Sequence, residues 1–189
     1  MNIIKQLEAY IPFNDQEISD KAYFLQALTA YDNLLTRENK FFHLTCSAFV
    51  VNKAQTKMLM VFHNIYQGWI LPGGHADGDH NFLEVAKKEV LEETGLVAKP
   101  LSKDIFAIQS LPTRGHKKNN EYIAAHTHLD IAYLLVAHDQ VELEAKEDEV
   151  SGVKWMPISE ATGKEVVDFV RPINEKLISK LLAMNINKE

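Results

Sequence analysis

The stretch "LPGGHADGDHNFLEVAKKEVLEETGL", residues 71–96, sets Glu89, Glu92 and Glu93 together behind a glycine-rich turn that itself carries Asp77 and Asp79. Like charges three or four residues apart on a helix repel, at a cost of roughly 0.2–0.5 kcal/mol per pair. A compensating interaction is therefore expected. Asn81 and Glu84 have the spacing of a capping box ahead of an apolar pattern, which predicts a helix over 81–94 with Asn81 as its cap. Gly95 is well placed to end it. At about 100° per residue, the three glutamates fall in one arc that also holds Phe82 and Val85 and borders Ala86. Glu84, Lys87 and Lys88 lie on the opposite side. Carboxylates beside a core-facing stripe must be paired or must bind metal. No basic residue shares the arc, and oxygen-only ligands favour a hard ion, Mg²⁺ or Mn²⁺. A charged surface helix is the competing reading. Gly73 and Gly74 allow the backbone to approach a ligand closely, and phosphates are the usual co-ligands of such ions.

Outward from this stretch, the 189 residues suit one domain with a terminal appendage. Residues 1–40 read as helical, interrupted at Pro12 and Asn14, and are expected to pack as an extension on a domain spanning 41–189. Strands are predicted at 43–52 and 57–63 (a hairpin-like pair), in "GWIL" at 68–71, and at 104–111, 121–137 and 150–156. Between the fourth and fifth strands lies a basic loop, "PTRGHKKNN". Helices follow from 158 to about 184. Strands flanked by helices without a regular βαβ alternation predict an α+β fold, with a mixed β-sheet between helical layers. The composition is 46% apolar and 24% charged, with a net charge of −6. That balance argues against DNA, RNA or an anionic membrane as partner, whereas a phosphorylated small molecule remains compatible through a bound cation. The one cysteine, Cys46, sits in an apolar run and reads as a small buried hydrophobe. The longest apolar run, "IAYLLVA" at 131–137, is far shorter than a membrane span, and a secretory pattern is missing from "MNIIKQLEAY". A cytoplasmic location is expected, and a homodimer is compatible with the sequence.

Residues 74–96 resemble the signature of the Nudix hydrolases, G-x5-E-x7-R-E-U-x-E-E-x-G-U with U aliphatic. Gly74, Glu89, Val90, Glu92, Glu93, Gly95 and Leu96 match at the right spacing. Two positions depart from it: His80 stands where the family has its first Glu, and Lys88 where it has Arg, which keeps the charge but loses the planar fork. The resemblance implies the Nudix fold, an α/β/α sandwich around a mixed sheet with N-terminal and C-terminal helices. It implies hydrolysis of a nucleoside diphosphate linked to another moiety by a metal-activated water. Carried over to this chain, Glu89, Glu92 and Glu93 would hold Mg²⁺ (Mn²⁺ as the alternative) together with the Gly73 carbonyl. Glu89 would also orient or deprotonate the water. The family often adds a distal glutamate before a late strand, for which Glu149 is the choice here and Glu147 the second. An exposed acidic loop is the competing reading there. A Nudix-fold module that binds nucleotide without turnover is the alternative to an enzyme.

A second constellation is "HTHLD". On a strand, His126, His128 and Asp130 share one face, and three ionisable groups in line point to a pocket. Taken alone, H-x-H-x-D resembles the opening of the metallo-β-lactamase zinc motif. That motif continues with His, whereas Ile131 follows here. In the Nudix reading the three residues line the substrate cleft, with Asp130 expected to raise the His128 pKa and favour its cationic form. His75 is a candidate phosphate or base contact. Arg114, with His116, Lys117 and Lys118, is a candidate phosphate-gripping loop, against a solvated hairpin tip. Trp69 and Trp155 read as packing residues.

Overall fold

A computed structural model describes residues 3–118, 120–145 and 150–186. The β-branched and aromatic run at Phe42–Asn52 forms β1, buried along nearly its whole length. It lies parallel to β9 (His126–Ala137) in unbroken register from Phe42↔Thr127 to Asn52↔Ala137. Strands covered on both faces read as continuous apolar runs, which is how the later parts of both segments, 48–51 and 131–137, look in sequence. β2 (Lys57–His63) pairs antiparallel with β1, and β10 (Val150–Pro157) with β2. β5 (Lys99–Pro100) and β6 (Ala107–Thr113) pair antiparallel with β9. Two short strands, β3 (Gly68–Ile70) on β2 and β4 (Gly73–His75) on β1, complete a mixed eight-stranded sheet. The expected α+β fold is borne out.

Side-chain alternation divides β1 and β9 between two cores. Leu44, Cys46, Ala48 and Val50, with Leu129, Ile131 and Tyr133, pack against Leu7 of α1 (Ile3–Ala9), Phe24 of α2 (Asp15–Ala30), and Phe82, Val85 and Val90 of α3 (Phe82–Thr94). Phe49, Val51, Ala132 and Leu134 face the other way, with Leu177 and Leu181 of α4 (Arg171–Ile186). Cys46 is fully buried in the first core, as expected of an inert thiol.

The N-terminal helices are tied to α4 through one buried carboxylate. Asn14 caps α2 by accepting from the Glu17 N–H at 3.0 Å. Glu17, 0% exposed, accepts from Tyr10 Oη at 2.6 Å and the Phe13 N–H at 2.8 Å. The same carboxylate lies 3.3 Å from Lys176 Nζ and 3.1 Å from Lys180 Nζ. Two lysines and two further donors satisfy the charge that burial would otherwise penalise.

Three local expectations are corrected. Asn81 makes no side-chain cap bond; instead Asp79 Oδ1 accepts from the Asn81 N–H at 2.8 Å, and Glu84 pairs with Lys87. The strand predicted over 121–137 is broken after Ile123, so that Glu121–Ile123 (β8) pairs with His116–Lys118 (β7). Residues 116–118 of the basic loop are thus a strand, and β6 begins later than predicted, at Ala107. Gly95 ends α3 as expected, at φ 69° with its N–H on the Leu91 carbonyl.

Candidate active site

The two aspartates of the glycine turn are structural. Asp77 takes a bidentate pair from Arg37 at 2.9 and 2.8 Å, and Asp79 accepts from the Asn81 N–H in the turn before α3. The three glutamates remain, all half-buried along one edge of α3. Glu93 Oε2 accepts from the Gly73 N–H at 3.0 Å, docking the helix on β4. A Cβ on Gly74 would stand 2.4 Å from Glu89 Cδ and 2.5 and 2.7 Å from its two oxygens. Glycine is therefore required here by the close approach of a carboxylate, at ordinary φ. Glu92 is reached by Lys88 Nζ at 3.6 Å, an exposed pair of small energetic weight. The three carboxylates are oxygen donors of the kind a hard divalent cation takes, although their oxygens do not gather as closely as the ring nitrogens of His43, His75 and His128 do.

On the other face of the sheet, odd positions of β1 and even positions of β9 are polar before they turn apolar. The register sets His43 beside His128 and Thr45 beside Asp130. β6 adds Gln109 beside Asp130. Asp130, 3% exposed, accepts from Thr45 Oγ1 at 2.9 Å, from Ser47 Oγ at 2.6 Å and from Gln109 Nε2. Burial pushes its carboxyl above the usual range against the pull of these three donors. Gln109 is oriented in turn by Lys176 Nζ, which donates to its Oε1 at 3.0 Å. This polar floor opens into a cavity of ≈ 140 Å³ with apolar walls that include Ile70, Leu111, Phe169 and Ile173. Gly73, Gly74, His75 and His128 lie on its rim. His75 and His128 also line a second, broader cavity of ≈ 450 Å³ with Arg37, Lys40, His43 and His126. The two cavities share His63, Tyr66, His75 and His128, and the first reaches Gly73 and Gly74, against which Glu93 and Glu89 rest.

Residues 41–181 match the model of the NUDIX domain. The chain belongs to the Nudix family. It is 29% identical over 154 residues to a protein of Lactococcus lactis subsp. cremoris described as a probable DHNTP pyrophosphohydrolase, covering 79% of this chain and 83% of that protein. Its fold is similar to that of a NUDIX-family hydrolase from Clostridium perfringens (18% identity, 74% of this chain and 97% of that one, TM-score 0.55). It is also similar to a C. elegans Ap4A hydrolase (15% identity, 76% and 98%, TM-score 0.56). A third similar structure is the NUDIX domain of Shewanella oneidensis NrtR complexed with ADP ribose (19% identity, 82% and 97%, TM-score 0.54). The resemblance carried by residues 74–96 is borne out.

Within this Nudix domain, the two departures from the signature are peripheral. His80 is exposed in the turn before α3, and the Lys88 side chain is 66% exposed. His126, His128 and Asp130 do share a face, as alternation predicts, with the two rings 4.9 Å apart. The expected charge state of His128 is overturned. Burial, then the neighbouring His75, His126 and His43, hold its pKa down at about 2, and the Asp130 oxygens are bonded to Thr45, Ser47 and Gln109. Arg114 lies in an adjoining depression with Gln67, Lys164 and Arg171, and is absent from the lining of both cleft cavities. Glu149 and Glu147 fall outside the described residues. The sequence reading passed over His43, Thr45, Ser47 and Gln109. The signal was the period-two placement of His43, Thr45 and Ser47 inside a run read as uniformly apolar.

Proposed function

We propose that this Nudix-type pyrophosphohydrolase hydrolyses a diphosphate linkage in a small nucleotide-like molecule, with Mg²⁺ or Mn²⁺ at the α3 carboxylates. The supporting observation is that Glu89 and Glu93 dock on Gly73–Gly74 at the rim of a cleft floored by Asp130. Glu89, Glu92, Glu93 and the Gly73 carbonyl would hold the ion, which supplies charge neutralisation and a lowered water pKa. Glu89 is the residue proposed to orient the attacking water and take its proton as the P–O bond to the leaving group breaks; Glu149 is the second candidate for that role. His75, His126 and His128 line the cleft, where they shape the space that the substrate occupies. Arg114, on the neighbouring hairpin, is proposed to reach the outer end of the same chain.

The floor suggests what the rest of the molecule looks like. An ionised carboxylate only accepts, with about four lone-pair sites, and three of these on Asp130 are taken by Thr45, Ser47 and Gln109. The remaining one suits a ring edge carrying N–H donors, and the walls beside it suit a flat heterocycle. Rings that carry an N–H donor on their edge, guanine and adenine among them, meet this condition. DHNTP, named in the description of the Lactococcus relative, belongs on the same panel.

The test is turnover with Mg²⁺ or Mn²⁺ of DHNTP, GTP, ATP, ADP-ribose, NADH and dinucleoside polyphosphates, read as phosphate products. Cleavage of at least one compound, lost in Glu93→Gln, is expected. Tight binding without any turnover would instead make the chain a nucleotide-sensing module.

A further inference from the structure

Among the described residues, one ring nitrogen from each of His43, His75 and His128 lies within 4.8 Å of the others. The three rings come from β1, β4 and β9. Their centroids are 5.4 Å apart for His43–His75, 5.8 Å for His43–His128 and 4.7 Å for His75–His128. Four imidazoles meet at this point once His126 is included, with its ring 4.7 Å from His43.

The hydrogen bonds fix where two of these rings carry their protons. A carbonyl oxygen only accepts. The Asn39 carbonyl contacts His43 Nε2, so His43 holds its proton there, and its Nδ1 is a bare lone pair, buried and unpartnered. The Ala124 carbonyl, 2.8 Å from His126 Nδ1, places the His126 proton on Nδ1. His126 Nε2 must then accept, and the His128 Nε2–H donates to it at 3.0 Å. The His128 proton is thereby used, and its Nδ1 is bare. Burial favours these neutral forms at both His43 and His128. An imidazole that donates one N–H to a carbonyl and presents its other nitrogen is arranged as metal-ligating histidines are. Bare nitrogens repel phosphate oxygens and attract cations, and Arg37 nearby is already paired with Asp77.

We propose that His43, His75 and His128 form a binding site for a borderline transition-metal ion of the Zn²⁺ type in the cleft wall, separate from the carboxylates of α3. Nitrogen donors select such ions over Mg²⁺. Zn–N bonds of about 2.0–2.1 Å put ligand nitrogens about 3.4 Å apart, so the rings close in by side-chain rotation on binding. Three imidazoles leave the fourth tetrahedral position to water or to an oxygen of whatever fills the cleft. This site differs from the one suggested by H-x-H-x-D, because Asp130 is bonded elsewhere and His43 and His75 replace it. It does not depend on the hydrolysis reading: either can fail without the other.

The experiment is calorimetric titration of the full chain with Zn²⁺ in excess Mg²⁺, which keeps the carboxylates occupied. One equivalent is expected, weakened at least about tenfold by His43→Asn and by His128→Asn and unchanged by Glu92→Gln. X-ray absorption of the Zn²⁺-loaded wild type should show imidazole nitrogens, and it decides alone if a histidine variant fails to fold. No binding in excess Mg²⁺, an oxygen-only shell, or unchanged affinity in His128→Asn would overturn the proposal.

Discussion

Lys176 Nζ donates to Gln109 Oε1 at 3.0 Å while standing 3.3 Å from Glu17 Oε1. One buried ammonium thus links the N-terminal helices to the cleft floor, because Gln109 passes the contact on to Asp130. The orientation of the Gln109 amide follows from it: with Oε1 held by the lysine, Nε2 must face the carboxylate. Residues that precede the matched family segment 41–181 therefore bear on the geometry of the site.

Glu17→Gln leaves Lys176 and Lys180 buried without their counter-charge, a change that costs about 3–5 kcal/mol when a buried pair is broken. Burial alone would raise the Glu17 pKa, but the Tyr10 hydroxyl, the Phe13 N–H and the two lysines outweigh it and hold the pKa low. A depressed carboxylate contributes stability that is present above its unfolded value, about 4.3. That contribution is lost as pH falls through the folded value. Chemical denaturation at pH 7 should show the variant less stable, and the gap to wild type should narrow as the buffer is taken below pH 4. A gap independent of pH would mean that the charge on Glu17 is not what is lost.

Gly74→Ala tests the glycine cradle without touching a ligand. Its Cβ would collide with the Glu89 carboxylate, the movable end of a side chain, and not with backbone. The thermal midpoint should barely change, whereas kcat should fall by roughly a hundredfold, the scale expected when a reacting group is displaced by about 1 Å. Glu93→Gln should lower kcat by a similar factor of about a hundred through loss of a metal ligand, with the Gly73 N–H still accepted by the amide oxygen. Steady-state kinetics beside thermal melts separates the two outcomes from simple unfolding.

Where the sequence was legible, the signal was local. The run 57–63 beyond its short turn placed β2, the apolar pattern between the glycine turn and Gly95 placed α3, and the acidic arc followed from helix geometry. What was hidden depends on partners far along the chain. Asp130 looked like a carboxylate for His128 because the two are neighbours on one strand, yet its oxygens are taken by Ser47, 83 residues away, and by Gln109, 21 residues away. Asn81 forms no capping bond because it sits at φ −97°, ψ 76°, outside the extended cap conformation. β7 was read as loop, and β8 as the start of the long strand, because charged residues give a two-stranded ribbon no apolar alternation to reveal it.

His80→Glu restores the family residue at an exposed position in the turn before α3. Substitutions at such sites change stability by no more than about 0.5 kcal/mol. A carboxylate there adds negative charge near the helix start, which the helix dipole favours, and near the acidic cluster, which should tighten Mg²⁺ binding modestly. Activity titrated with Mg²⁺ should reach the same maximum at a lower metal concentration. A large fall in kcat would assign His80 a role of its own.

Asp130→Asn probes the floor. The change preserves shape: with the amide oxygen in the place of Oδ2 it still accepts from Ser47 and Gln109, the latter held facing it by Lys176. The amide nitrogen then takes the place of Oδ1 beside Thr45, whose hydroxyl can turn to accept. What disappears is the open acceptor site on Oδ1. For the substrate, the lost acceptor leaves a ring N–H unpaired in a buried site, worth about 1–3 kcal/mol, or about 5- to 150-fold. That penalty should appear in KM and kcat/KM for compounds whose ring carries N–H donors. Compounds whose ring edge carries no N–H donor, which gain little from the carboxylate, should be cleaved with nearly unchanged kcat/KM. Measuring both series on wild type and variant gives the ratio directly. An equal loss for both would show that Asp130 supports the sheet beneath the cleft and does not read the ring.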